Sequence, residues 1–230
     1  LHKPLHDYNL VLYENAIRQS LSFVNDHLGS YPFSELRIVE IPFFQKELYA
    51  YPNVIAISEK EGWYADTTGL AERSYMTYTM ASQTISHWLY QNVEIGNVQG
   101  SDMLKVALPG AMALEVVKTL HGKEAVDGLL DKKKNFYSKE RGNEHNLEPP
   151  LIYADGADYL EGNKGVVALY KLSVEIGIKT FTSFVLEWAE ANKGKNVTFQ
   201  SLYATLLNHA STESRQKWVE VFETTEGELT

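Results

Sequence analysis

Leu10, Tyr13, Ile17, Leu21, Val24 and Leu28 recur at steps of three and four residues. That is the period of one helix face, and it predicts an amphipathic helix over Tyr8–Leu28 that stops at Gly29. Two β-branched runs come next, Glu35–Ile41 (ELRIVEI) and Asn53–Ser58 (NVIAIS), bounded by Pro42 and Pro52. They predict two strands of a small sheet, with no strand after them. From Asp66 onward the pattern is helical. Its centre is Tyr78–Val93, YTMASQTISHWLYQNV, where Tyr78, Ala81, Ile85, Trp88 and Leu89 share one stripe and Ser82 and Ser86 lie a turn apart along its edge.

After a Gly96–Gly100 loop a helix is expected over Asp102–His121, with Ser101 or Asp102 as its cap. Pro109 must kink that helix or stand at its first position, because a proline inside an α-helix removes a donor and its ring meets the carbonyl of Lys105. Lys123–Arg141 predicts a further helix whose Lys132-Lys133-Lys134 run reads as a solvated face. Gly142–Asp158, polar and carrying Pro149-Pro150, predicts a long loop. Gly165–Ile176, Lys179–Ala191, Phe199–His209 and Glu213–Phe222 predict four closing helices, with stops at Gly177 and Gly194 and caps at Thr198 and Ser211. Thr224–Thr230 is expected to fray. The order gives an α+β, mostly α class: a helix and small sheet region over 1–70, then an α-helical part over 71–230, as one compact domain.

Composition narrows the chemistry. The chain of 230 residues is 44% hydrophobic and 22% charged, with net charge −9, the profile of a globular protein without the clustered Lys and Arg that nucleic acid or an anionic membrane surface requires. It contains no cysteine, which removes disulfides, thiolate metal sites and a cysteine nucleophile. No apolar run reaches the roughly 18 residues of a membrane span. There is no G-x-S-x-G elbow, phosphate-binding glycine loop or dinucleotide fingerprint. His2 and His6 form the one HxxxH pair and read as part of a terminal segment. Asn196-Val197-Thr198 is a glycosylation sequon, meaningful only in a eukaryotic secreted protein.

The spacing of Ser82 and Ser86 is that of the two histidines in a zinc-peptidase helix, H-E-x-x-H, and here the five positions read Ser82-Gln83-Thr84-Ile85-Ser86. From Ser82 to Leu104 the run SQTISHWLYQNVEIGNVQGSDML resembles, without a gap, the corresponding stretch of membrane-alanyl-aminopeptidase-like gluzincins. It is also similar to the version of that stretch in the extracytoplasmic aminopeptidase-like domain of bacterial ABC transporter permeases. Trp88, Gly96, Val98, Gln99, Gly100, Met103 and Leu104 carry the resemblance.

The resemblance implies a thermolysin/zincin-like catalytic-domain fold over nearly the whole chain, with Leu36–Leu70 as the sheet region and Gly165–Phe222 as the helical tail. In its register Ser82 and Ser86 replace the zinc histidines, Gln83 the glutamate base and Val106 the third ligand. Gly162 replaces the tyrosine of Y-x-K-G, the run here being Gly162-Asn163-Lys164-Gly165. Ala50, within Glu47–Tyr51, falls on the glutamate that would hold a substrate amine. A neutral hydroxyl is a poor zinc ligand and a valine is none, so no zinc, no other cofactor and no catalytic residue is expected.

Ala50, Tyr51, His87 and Tyr159 are candidates for lining a remaining cleft, although His87, a quarter turn from Ser86, reads first as a hydrogen-bonded histidine. The implied function is a catalytically inactive domain on the periplasmic side of a bacterial membrane. It would form part of a longer transporter, anchored through segments outside this chain, and bind a peptide or protein partner but not nucleic acid. The alternatives are a hydrolase with a different site and a purely structural interaction module.

Overall fold

The computed structural model describes residues 9–42, 49–143 and 147–225. The chain forms two compact units, residues 1–91 with 113–129 and residues 92–112 with 130–230. The boundary expected at residue 70 falls inside the first unit, at the start of a helix. Among the described residues the protein is mostly helical with two small sheets, an α+β arrangement. His2 and His6, Glu47 and Leu48 of the ELYAY run, and residues 226–230 of the expected frayed tail lie outside the described residues.

In the first unit, α1 (Leu10–His27) starts two residues later than its periodicity suggests. Asn9 precedes it and does not cap it. Its buried amide donates to the carbonyls of Gly62 (2.7 Å) and Ala65 (3.0 Å), and its own oxygen accepts from Thr67 Oγ1 (2.6 Å). The side chain thus ties the helix to a distant turn. The expected strands appear as β1 (Arg37–Ile41) and β3 (Val54–Ser58), paired in parallel, and a third strand, β2 (Tyr49–Tyr51), runs antiparallel to β3. Pro52 and Asn53 make the turn between β2 and β3. Asn53 has φ 55°, and a proline followed by a residue with positive φ is the pattern of a type II turn.

A five-residue π-helical turn, Glu59–Trp63, comes after β3, its start satisfied by Ser58 Oγ accepting from the Glu61 amide. Trp63 meets Tyr13 edge to face at 5.4 Å, and Tyr13, Ala16, Ile55, Ile57, Trp63, Met76 and Met80 form the core of this unit. The central helix, α2, extends over Leu70–Asn92 and begins eight residues before Tyr78.

The long helix α3 (Leu108–Arg141) contributes 113–129 to the first unit and its two ends to the second. It is interrupted at Gly122, with φ 83° and ψ 178°, at the junction expected between two helices. Pro109 sits in its first turn. A π-helical turn, Met103–Ala107, leads into it, and that wider turn takes up the clash a proline ring would make with the carbonyl of Lys105. Neither expected cap acts there. Asp102 makes no capping bond, its Oδ2 instead accepting from the Gly156 amide at 3.0 Å, while Ser101 Oγ donates to Asp155 at 2.9 Å.

The rest of the second unit keeps closely to the sequence pattern. The four closing helices are α4 (Val166–Ile176), α5 (Ile178–Ala191), α6 (Phe199–Asn208) and α7 (Thr212–Glu223). Thr198 and Ser211 cap α6 and α7 by accepting from the amides of Ser201 and Ser214, and Gly177 and Gly194 both take positive φ. Phe199 stacks on Tyr203 within α6, and Phe222 of α7 meets Phe199, Tyr203 and Trp218 at tilted angles.

Three features here differ from the expectation. β4 (Glu94–Ile95) and β5 (Asn196–Val197) pair in parallel, so strands do occur after β3. A π-helical turn, Leu160–Gly165, precedes α4. The Gly142–Asp158 loop carries a 3-10 turn, Leu151–Tyr153, with Leu151, Ile152 and Ala154 buried.

Candidate functional site

In the first unit, α2 presents the residues standing in the H-E-x-x-H positions. Ser82 Oγ donates to the carbonyl of Thr79 at 3.0 Å and Ser86 Oγ to that of Ser82 at 2.9 Å, so both hydroxyl protons are spent on their own helix. This back-bonding is how a serine satisfies itself inside a helix. Ser82 and Gln83 are half-buried and Ser86 is buried.

His87, next to Ser86, is 3% exposed, with Nδ1 2.9 Å from Tyr31 Oη and its ring edge to face with Phe33. Burial pulls its imidazole down to about 4, against a smaller opposing effect of the Val54 backbone, and pushes the Tyr31 phenol up to about 12. A histidine that titrates near 4 when folded and near 6.5 when unfolded leaves the unfolded chain holding more protons between those values. Its contribution to stability is therefore complete above pH 6.5 and lost as pH falls towards 4. His87→Gln should flatten the acid side of the stability profile between those limits, measured by denaturant titration against the wild type. Superimposable slopes would refute the assignment. Ala50 and Tyr51 belong to β2, and their side chains lie outside the described part of the structure.

In the second unit, Val106 and Gly162 each stand on a π-helical turn, Met103–Ala107 and Leu160–Gly165. These two turns pack closely, because Gly165 has no side chain: a Cβ there would lie 2.8 Å from Met103 Sδ and 3.1 Å from Ala107 Cβ. Val106 is 40% exposed, and its Cγ1 lies 3.9 Å from where a Cβ on Gly162 would be. The Asp158 carboxylate borders the same point at 2.9 Å. Lys133 Nζ donates to the Gly162 carbonyl at 2.7 Å. It is half-buried, which corrects the reading of the lysine run as a uniformly solvated face; Lys132 beside it is exposed. Burial pulls the Lys133 ammonium down to about 8, opposed by Asp158 and assisted by Lys132.

Glu161 is buried, with Oε1 accepting from the Ala157 amide at 3.1 Å; burial first, then Asp102 and Asp158, hold its carboxyl above the usual range. Tyr159 stacks on Tyr137 with centroids 6.2 Å apart.

No protein-family model matches this chain, and no curated protein sequence matches it either.

Ser82 and Ser86, engaged with helix carbonyls in the first unit, offer no charged or imidazole ligand, and Val106, in the second unit, offers no donor. Among the described residues no three His, Asp or Glu side chains gather as a metal set.

The polar group that sequence reasoning did not single out is a buried network in the second unit. Glu148, in the loop before α4, is 4% exposed, and Lys164 is 1% exposed with its Nζ 2.6 Å from Glu148 Oε1. Tyr137 Oη lies 3.0 Å from both Glu148 oxygens, and Arg141 Nε lies 3.4 Å from Oε2. Lys164 is the lysine of the Y-x-K-G match, the only sequence signal for this network. Nothing in the pattern around Glu148 marks it as buried.

Proposed function

We propose that this chain is a zincin-like, aminopeptidase-type domain that has lost its zinc chemistry. It would serve as the extracytoplasmic part of a bacterial membrane transporter and bind a peptide or protein partner. The reading rests on the resemblance over Ser82–Leu104, and one observation supports it above the others. Val106 and Gly162, the positions of a third zinc ligand and of a transition-state tyrosine in that family, are far apart in sequence. Yet their side-chain positions come within 3.9 Å across two packed π-turns. The chemistry is missing at both: an exposed valine and a glycine now occupy the neighbourhood. No described helix is long and apolar enough to cross a membrane, so in this reading anchoring falls to segments outside the chain.

The test is metal analysis together with an aminoacyl-hydrolysis assay, run with and without added zinc. The purified chain should hold no stoichiometric zinc and release no product under either condition. About one tightly held zinc per chain would overturn the reading. Turnover without metal would favour a hydrolase with a different site, for which Lys133, Asp158 and Glu161 around Gly162 are one grouping of titratable side chains.

A further inference from the structure

We infer that His121 latches the kink of α3, holding it shut while the imidazole is neutral and letting it open once the ring is protonated. This inference does not depend on the transporter reading. The kink is at Gly122, whose φ of 83° and ψ of 178° fall in a region that only glycine enters readily. Gly122 is exposed and nothing lies within 4 Å of where its Cβ would be, so packing on the glycine itself does not hold the bend. Lys123 and Glu124 are exposed as well, and the chain returns to the core at Ala125. The residue before the glycine is better placed. His121 is half-buried, its Nε2 lies 2.8 Å from Thr77 Oγ1 on α2, and Thr77 is fully buried. Both residues belong to the first unit, so the bond ties the edge of the bend to another helix of the same unit.

The charges around the ring set the direction of the switch. On α2, Arg73 stands one turn before Thr77 on the same face, held by the carbonyls of Thr67 and Thr68. On α3, Lys118, Lys123 and Glu124 are exposed, and the two lysines pair with Glu115 and Asp127. A neutral ring can share a proton with the Thr77 hydroxyl in either direction. An imidazolium in the same place would be partly desolvated beside a guanidinium, whereas an open bend lets it reach water. Burial first, then Arg73, therefore keep the ring's titration below the usual histidine range in the closed form. The open form binds the proton more tightly, so the latch is complete above pH 6.5 and weakens as pH falls below it.

The test is amide hydrogen exchange on the intact chain at about pH 7.5 and about pH 5, corrected for the intrinsic effect of pH on exchange. Peptides spanning 118–125 report the bend, and peptides of α4 serve as the reference. Opening at the bend should rise at least about threefold at the lower pH and at most about thirtyfold, the ceiling for one histidine of ordinary affinity released there. The α4 peptides should not follow. His121→Gln should make opening equal at the two pH values, and Thr77→Val should open the bend at both. In the wild type the His121 ring, followed by NMR, should titrate below 6.5. Wild-type opening that ignores pH, an equal rise in α4, or a ring titrating at or above 6.5 would overturn the latch even if neither variant folds. A pH-dependent rise persisting in His121→Gln, or a Thr77→Val bend as closed as the wild type at about pH 7.5, would overturn it equally.

Discussion

Glu148→Ala should destabilise the protein by about 3–5 kcal/mol, the cost of leaving a buried ammonium without its counter-charge. The magnitude comes from Lys164, 1% exposed and 2.6 Å from the carboxylate that would be lost. Tyr137 loses its acceptor in the same step, which adds an unsatisfied hydroxyl to the unpaired charge. Arg141, on the more exposed side of the network, contributes less because solvent screens it. Denaturant titration checks the size. A companion variant, Glu148→Leu with Lys164→Met, should recover much of the loss, since apolar side chains can replace a buried ion pair at little net cost. If the single variant unfolds at the wild-type midpoint, the network is not what holds the loop before α4.

Gly100→Ala should cost about 3 kcal/mol, from two sources that add. Gly100 has φ +82°, a conformation that costs an L-residue roughly 1–2 kcal/mol. A Cβ there would also press on the backbone carbonyl of Ile152, closer than real side chains approach, and backbone cannot swing aside. That carbonyl already accepts from Gln200 Nε2 at 2.6 Å, so displacing it disturbs a second contact. Gly128→Ala is the control. It lies on α3 with open space around it, and the same substitution there should raise stability by up to about 1 kcal/mol. Equal effects at the two glycines, read as shifts in melting temperature, would remove the conformational argument.

Much of the fold is legible wherever one local rule acts alone. The three- and four-residue period of Leu10 to Leu28 gives α1, the runs between prolines give β1 and β3, and Thr198, Ser211, Gly177 and Gly194 mark helix ends by chemistry that needs no tertiary partner. The rest depends on partners distant in sequence. Two-residue ladders such as β4 with β5 show no alternation, and β2 is three residues long beside a proline. Asn9, a plausible cap by type, is used instead to bind Gly62 and Ala65. Lys133 sits in a charged run that reads as solvent-facing, and its half-buried contact comes from Gly162 on another element. The proximity of Val106 and Gly162 is invisible to periodicity, and only the resemblance singles out those two positions together.

The π-turn at Met103–Ala107 carries a further consequence. Such a turn is an α-helix holding one surplus residue, and its wider spiral absorbs that residue while the segments on its two sides keep nearly the orientation of an uninterrupted helix. Deleting a single residue within it would therefore leave those flanks almost unrotated and remove only the widened backbone itself. That backbone carries Met103 and Ala107 against Gly165, and Val106 beside Gly162. The surplus residue thus serves the contact between the two turns rather than the course of the helix: its loss would spare the helix and loosen the contact.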